Sequence, residues 1–180
     1  MMQIQGAQAA EAPWTRDLVT RSGYRFHVRT AQEGDEAALD AFFTHVSPDD
    51  LRFRFLTAVG HVPHGTIEAM THVDHRKTEN FLAVDDDGDV VGSAMIGADD
   101  NLEVAEVAIS IHEDFRGRGI GWTLLDHVAA YARGRGFAKL QCIESRDNHA
   151  AIELEREMGF TARACPGEPG LVLVEAQLNG

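Results

Sequence analysis

Residues 109–121 read I-S-I-H-E-D-F-R-G-R-G-I-G, and this stretch decides the fold. The segment leading into it, Leu102 to Ile111, alternates apolar and polar residues with a period of two, which predicts a strand. From Ile120 onward, apolar residues repeat every four positions until glycines at 134 and 136 end the run, which predicts a helix. A strand that passes through a tight turn into a helix is therefore the central element of the fold.

The turn itself is rich in glycine and carries two arginines. Glycines at 117, 119 and 121 let the backbone turn sharply and approach a ligand closely. The helix N-terminus that follows favours a diphosphate through its dipole and free amides, and Arg116 and Arg118 add positive charge. The two standard nucleotide-binding loops fit this turn poorly, because there is no G-x-x-x-x-G-K-[ST] and the glycines lack the spacing of the dinucleotide fingerprint.

The rest of the chain shows the same two periods. Strands are predicted at 24–30, 81–84, 90–96, 137–144 and 171–177, and helices at 33–46, 47–54, 64–70 and 148–158. Ser47-Pro48-Asp49-Asp50 is typical of a helix start, with a capping hydroxyl, a first-turn proline and acids near the positive end of the dipole. This order predicts one α+β domain at residues 23–180 with a mixed sheet, preceded by a tail at residues 1–22.

The net charge of the chain limits the classes of molecule that it is expected to bind. The 180 residues include 16 basic and 29 acidic side chains, a net charge of −13, which disfavours nucleic acid and anionic membranes as partners. A cationic partner, such as an amine or a lysine-rich protein surface, would be attracted. Alternatively, the acidity only keeps the protein soluble.

Nothing in the sequence indicates export or membrane insertion. No apolar run is long enough to span a bilayer, and the first residues lack the pattern of a secretory signal. The two cysteines, Cys142 and Cys165, cannot form a disulfide framework. A cytoplasmic location is therefore expected.

Two segments resemble motifs of the GNAT superfamily of N-acetyltransferases. Arg116, Gly119 and Gly121 match its acetyl-CoA signature [Q/R]-x-x-G-x-[G/A]. The helix after the next strand is similar to the pattern N-x-x-A-x-x-L-x-x-x-x-G-F, with these residues in place: Asn148, Ala151, Leu154, Gly159 and Phe160. The resemblance spans about Phe26 to Gln177. It implies a single α+β GNAT-type domain with a mixed, mostly antiparallel sheet of six to seven strands flanked by helices, opening in a V-shaped splay for acetyl-CoA as cosubstrate.

The same resemblance implies which residues bind the cofactor. Backbone groups of Ile109 and Ile111 would pair with the amides of the pantetheine arm, and Asn148 would bond that arm or a bridging water. The pyrophosphate would be held by the turn and the start of the helix: Arg116, Gly117, Arg118, Gly119, Ile120, Gly121 and Trp122.

A closer likeness concerns the acceptor. Residues 47–55 and 71–79 resemble segments of bacterial protein lysine acetyltransferases, which implies transfer to a protein lysine. An acetyltransferase for a small amine and a non-catalytic acyl-CoA sensor remain alternatives, and a homodimer is left open.

Acid and base catalysis has one candidate residue. Glu106 lies on the predicted cleft strand, opposite its apolar neighbours, and relatives of this kind carry a glutamate there, so it is expected to be the general base. Alternatively, it only faces solvent. The superfamily often has a tyrosine acid at the place of Glu155, so no general acid is assigned.

The cysteine and histidine side chains are not assigned a catalytic or metal-binding role. Cys142 is expected to be a small core residue. Four histidines form two H-x-x-H pairs, and because cysteine partners are missing no metal site is assigned; they are His61, His64, His72 and His75.

Overall fold

The structure is a computed structural model that describes residues 14–179. Within this range, eight strands form one sheet in the order β1-β2-β3-β4-β5-β6-β8-β7. The strands are β1 Arg16–Val19, β2 Arg25–Thr30, β3 Thr78–Val84, β4 Val90–Ala98, β5 Val104–Ile111, β6 Lys139–Ser145, β7 Thr161–Ala164 and β8 Leu171–Gln177. The helices are α1 Glu36–Thr44, α2 Pro48–Phe55, α3 His64–Thr71, α4 Ile120–Gly134 and α5 His149–Glu157. No helix in the described part of the chain is long and apolar enough to cross a membrane.

The strand pairing opens a cleft in the middle of the sheet. All neighbouring strands are antiparallel except β5 and β6, which run parallel. These two strands pair only where Val104–Glu106 meets Lys139–Gln141. Beyond this point the two strands no longer pair with each other, while β5 stays paired with β4 and β6 stays paired with β8 on their other edges. The predicted α+β fold with a splayed, mostly antiparallel sheet is confirmed.

Two short strands differ from the sequence-based prediction. β1 lies inside the segment predicted as a tail, where Leu18 packs against the core and the backbone pairs with β2. β7 pairs with β8 at the sheet edge and keeps most of its side chains out of the core. The described sheet therefore has eight strands rather than six to seven, and the tail prediction for residues 1–13 lies outside the described residues.

Each face of the sheet has its own apolar core. On one face α4 and α5 pack against the strands, with Leu124 and Val107 among the buried side chains. On the other face α1, α2 and α3 enclose a second core around Phe42 and Ile67. In β5 the alternation buries Ala105 and Val107 and leaves Glu106 exposed, as the period-two pattern predicts.

The buried histidine of α4 provides a test of this packing. His127 is 4% exposed, its ring meets the Phe81 ring edge-on with centroids 5.0 Å apart, and its Nε2 has no hydrogen-bond partner among the described residues. Burial, followed by the charge of Arg16, lowers the pKa of His127 to about 4. The unfolded chain therefore binds a proton between about pH 6.5 and pH 4 that the folded chain does not.

We expect the free energy of unfolding to fall as the pH drops through this window, by up to about 1.4 kcal/mol per pH unit from this residue. His127→Phe should remove that contribution, since phenylalanine does not titrate. Urea unfolding between about pH 4 and pH 7 measures the slope. His61→Phe, at an exposed position, is the control. Parallel curves for wild type and His127→Phe would contradict the prediction.

Candidate active site

The space between the splayed strands is a cleft of about 450 Å³. It is lined by α2, β5, the start of α4, β6 and α5. All predicted cofactor-binding residues except Arg118 line it: Ile109, Ile111, Arg116, Gly117, Gly119, Ile120, Gly121, Trp122 and Asn148. Ile109 and Ile111 pair with β4 on one side and have no partner in β6, so their open edge suits an extended amide-containing ligand such as the pantetheine arm.

The glycine turn needs glycine for two different reasons. Gly117 and Gly119 have φ values of 77° and 86°, a left-handed conformation that side chains disfavour. Gly119 is also the N-cap of α4, and a Cβ added there would lie 3.2 Å from Cβ of Thr20. The hairpin between β1 and β2 thus packs onto the turn, and Ser22 Oγ donates to the carbonyl oxygen of Arg118 at 2.7 Å.

The two arginines of the turn have different surroundings. Arg116 lines the cleft and pairs with Asp50 of α2, with its Nη1 3.1 Å from Asp50 Oδ2. The guanidinium of Arg118 stacks instead on Phe115 at 4.6 Å and on Tyr24 at 5.2 Å. A role for Arg118 in binding the pyrophosphate stays a prediction.

Asn148 joins the start of α5 to β6. Its Oδ1 accepts a hydrogen bond from the Ala151 amide at 3.4 Å and caps the helix. Its Nδ2 donates to Glu144 Oε2 at 3.1 Å. Asn148 therefore positions Glu144, and its contact with the cofactor stays a prediction.

Glu106 lies at the fork of the sheet, the point where β5 and β6 stop pairing and separate. It is the last residue of β5 that pairs with β6, opposite Gln141, and its side chain is exposed. It is not among the residues that line the cleft. Its negative charge acts on Arg54 of α2: burial lowers the pKa of Arg54, and the charges of Glu106 and Glu144 partly oppose this. The role of Glu106 as a base stays a prediction.

A carboxyl pair that lines the cleft was not predicted. The Sγ atom of Cys142 and one carboxylate oxygen each of Glu144 and Glu155 lie within 4.8 Å of one another. All three residues line the cleft. Burial, then the charge and hydrogen bond of Glu144, raise the pKa of Glu155 to about 9. Burial also raises the pKa of Glu144, opposed by hydrogen bonds from Glu155 and Asn148 and by the charge of Arg54. Burial keeps Cys142 a thiol by raising its pKa.

The histidine pairs lie outside the cleft. They pair with acidic side chains on and around α1 and α3, the shortest contact being His75 Nδ1 to Glu79 Oε2 at 2.8 Å. The others approach Asp40, Glu36 and Glu33 at 3.6 to 3.9 Å: His61, His64 and His72.

Comparison with known proteins agrees with this arrangement. Residues 39–160 match the acetyltransferase (GNAT) family. An acetyltransferase of Pseudomonas aeruginosa is 26% identical over 183 residues, covering 96% of this chain and 97% of that protein. The GNAT domain of S. lividans PAT has a TM-score of 0.86 and 26% identity over 92% of this chain and 98% of that one.

A third relative shares the fold and was solved with the expected cosubstrate. The structure of yncA from Salmonella typhimurium with its cofactor acetyl-CoA has a TM-score of 0.69 at 23% identity, over 86% of this chain and 95% of that one. The family match covers the central strand, the glycine turn, α4, β6 and α5, which are the elements that build the cleft. The chain belongs to the GNAT family of acetyltransferases and is an acyl-CoA N-acetyltransferase that uses acetyl-CoA.

Proposed function

We propose that this acetyltransferase modifies lysine side chains of other proteins in the cytoplasm, with Glu106 as the general base. The position of Glu106 carries the proposal. It lies at the fork of β5 and β6, where the cleft begins, and it is exposed, so a side chain that protrudes from another protein can reach it. The net charge of −13 attracts a lysine-rich surface.

The proposed reaction needs a base on the acceptor side. A lysine amine has an ordinary pKa near 10.4 and must lose a proton to attack the thioester. The Glu106 carboxylate accepts that proton, directly or through one water, while the amine nitrogen bonds to the acetyl carbon.

Arg54 favours a second candidate acceptor. It lines the cleft, it is half-buried, and none of the described carboxylates forms an ion pair with it within 4 Å. A guanidinium in this position is suited to a carboxylate on the acceptor. The second candidate is therefore a small amine that carries a carboxylate, such as an amino acid.

An acceptor survey distinguishes the two. The protein is incubated with acetyl-CoA and, separately, with pooled lysine peptides and a panel of amines with and without a carboxylate, and products are identified by mass spectrometry. We expect acetylated lysine peptides. Turnover of amino acids alone, lost in Arg54→Met, would overturn the proposal in favour of the small amine.

Glu106→Gln tests the base. We expect turnover at neutral pH to fall about a hundredfold, because glutamine keeps the size of the side chain but cannot accept a proton. Raising the pH to about 9 should partly restore the rate, since more of the acceptor is then neutral. Affinity for acetyl-CoA, measured by calorimetric titration, should hardly change.

Glu103→Gln is the matched control, because Glu103 is exposed and directly precedes the same strand. Its rate should equal that of wild type at every pH. A near-normal rate of Glu106→Gln across this pH range would mean that the base is another group.

A further inference from the structure

We propose that Glu155 is the catalytic acid of this enzyme, that its carboxyl group gives a proton to the departing sulfur of CoA, and that Glu144 is a positioning residue that keeps this proton on Glu155. The proposal rests on acetyl transfer from acetyl-CoA. It depends neither on the nature of the acceptor nor on Glu106 as the base.

The first observation is a buried carboxyl oxygen without a donor. Glu155 is 4% exposed, it lines the cleft, and none of the described residues donates a hydrogen bond to its Oε2. A carboxylate in such surroundings would lose its hydration, and the hydrogen bond with the Cys142 thiol offsets that loss only in part. Glu155 therefore holds a proton at neutral pH, and burial and Glu144 raise its pKa accordingly.

The second observation is the asymmetry of the carboxyl pair. Glu144 accepts a hydrogen bond from Asn148 Nδ2 at 3.1 Å and faces the positive charge of Arg54 from α2, and both favour its carboxylate form. Glu155 has neither partner. Two carboxyl groups this close do not both ionise readily, so the pair retains one proton and Glu155 holds it.

The remaining neighbours do not take over the proton. Cys142 of β6 is buried with a raised pKa and stays a thiol, and Glu106 of β5 acts on it only as a distant negative charge. The atoms of the cluster are also close enough for a divalent cation. A cation there would have to displace the protons of the thiol and of the carboxyl group, and the chelator experiment below distinguishes the two states.

The position of the pair suits the breaking bond. Cys142 and Glu144 lie on β6 beyond the last residue that pairs with β5, facing the open edge of Ile109 and Ile111 across the cleft. As the acceptor nitrogen bonds to the acetyl carbon, the carbon–sulfur bond breaks and its electron pair goes to sulfur. The Glu155 O–H proton then passes to that sulfur to give CoA thiol, and water returns a proton to Glu155. The charge of Glu144 favours this return.

The decisive experiment changes the leaving group. Glu155→Gln and wild type are assayed with acetyl-CoA and with its selenium analogue, whose more acidic selenol leaves without a proton. With acetyl-CoA we expect kcat of Glu155→Gln to fall about tenfold to a hundredfold, at the low end for a positioned acid because a thiolate leaves moderately well unaided. With the selenium analogue the loss should nearly disappear. An equal loss with both cofactors, or no loss, would overturn the proposal.

Controls separate this result from other roles. Glu153→Gln, exposed on the same helix, should behave as wild type with both cofactors. The defect of Glu106→Gln should persist with the selenium analogue, so the failure of one proposal is distinguishable from the failure of the other. Activity that a chelator removes and added Zn²⁺ restores would assign the cluster to a metal and overturn the proton donor.

The pH profile tests the pair without relying on a single variant. The wild-type rate with acetyl-CoA should fall on the alkaline side, as Glu155 loses its proton, and this fall should be absent with the selenium analogue. Glu144→Gln removes the neighbouring charge and should shift the fall to lower pH. Identical alkaline limits for both cofactors in wild type would overturn the proposal even if no variant folds.

Discussion

Glu155→Gln should make the protein more stable above neutral pH. Burial and Glu144 raise the pKa of Glu155 to about 9, whereas the same carboxyl in the unfolded chain titrates near its ordinary value of about 4.3. Between these values the folded chain holds a proton that the unfolded chain has released. The free energy of unfolding therefore falls as the pH rises through this window, by up to about 1.4 kcal/mol per pH unit.

Over the range from about pH 5 to about pH 8, this one carboxyl group costs up to about 4 kcal/mol. Glutamine does not titrate, and its amide can donate to the Glu144 carboxylate that Asn148 already holds. The stability of the variant relative to wild type should therefore rise steadily with pH. Near pH 5 the variant should equal wild type within the roughly 1 kcal/mol of one hydrogen bond.

Urea unfolding at closely spaced pH values measures this difference, with Glu153→Gln as the matched control on the exposed face of α5. The control curve should run parallel to that of wild type. If the curve of Glu155→Gln also runs parallel, Glu155 is ionised in the folded protein and cannot be the proton donor. A buried acid that lowers stability at the working pH is typical of a residue retained for function.

The parts of the fold that sequence predicted are those specified by local patterns. The glycine turn between β5 and α4, the serine cap of α2 and the start of α5 near Asn148 each depend on a few neighbouring residues. Ser47 Oγ accepts a hydrogen bond from the Asp50 amide at 3.2 Å, as its position before Pro48 predicted. The splay of the sheet was predicted from the family resemblance, because no local sequence pattern indicates it.

What the sequence did not predict depends on tertiary contacts. β1 and β7 have four residues each and largely exposed side chains, so their pairing with β2 and β8 leaves no period-two pattern of burial. Arg54 reaches the cleft because α2 packs against β5 and β6, which its own sequence does not specify.

Glu155 illustrates the same limit at the site. From the sequence alone, Glu155 was noted only because it replaces the tyrosine that the superfamily often has at this position. It follows Ile152 by three positions and therefore lies on the same buried face of α5. A glutamate on an apolar stripe was the available indication of a perturbed carboxyl group. Its protonation follows from burial and from Glu144, which belongs to a different element and meets it only in the folded chain.

Gly121→Val should abolish tight binding of the cofactor while leaving the fold intact. Gly121 is the second residue of α4, and a Cβ there would meet Ile111 Cγ1 and Leu154 Cδ1 at 3.9 Å, an ordinary contact. The two methyl groups of valine would then extend into the cleft at the helix N-terminus, where the diphosphate is expected. Gly119 is the poorer test, because its positive φ and its contact with Thr20 would strain the fold itself.

We expect the dissociation constant for CoA, measured by calorimetric titration, to rise at least about a hundredfold, equivalent to about 2.7 kcal/mol. Gly65→Val is the matched control, since Gly65 is the second residue of α3 and an added Cβ there has nothing within 4 Å. Both variants introduce the same β-branched side chain in a first helical turn, so the intrinsic helix cost cancels between them. Unchanged affinity in a folded Gly121→Val protein would show that the diphosphate binds elsewhere, and the open edge of β5 would then be the remaining candidate for the cofactor.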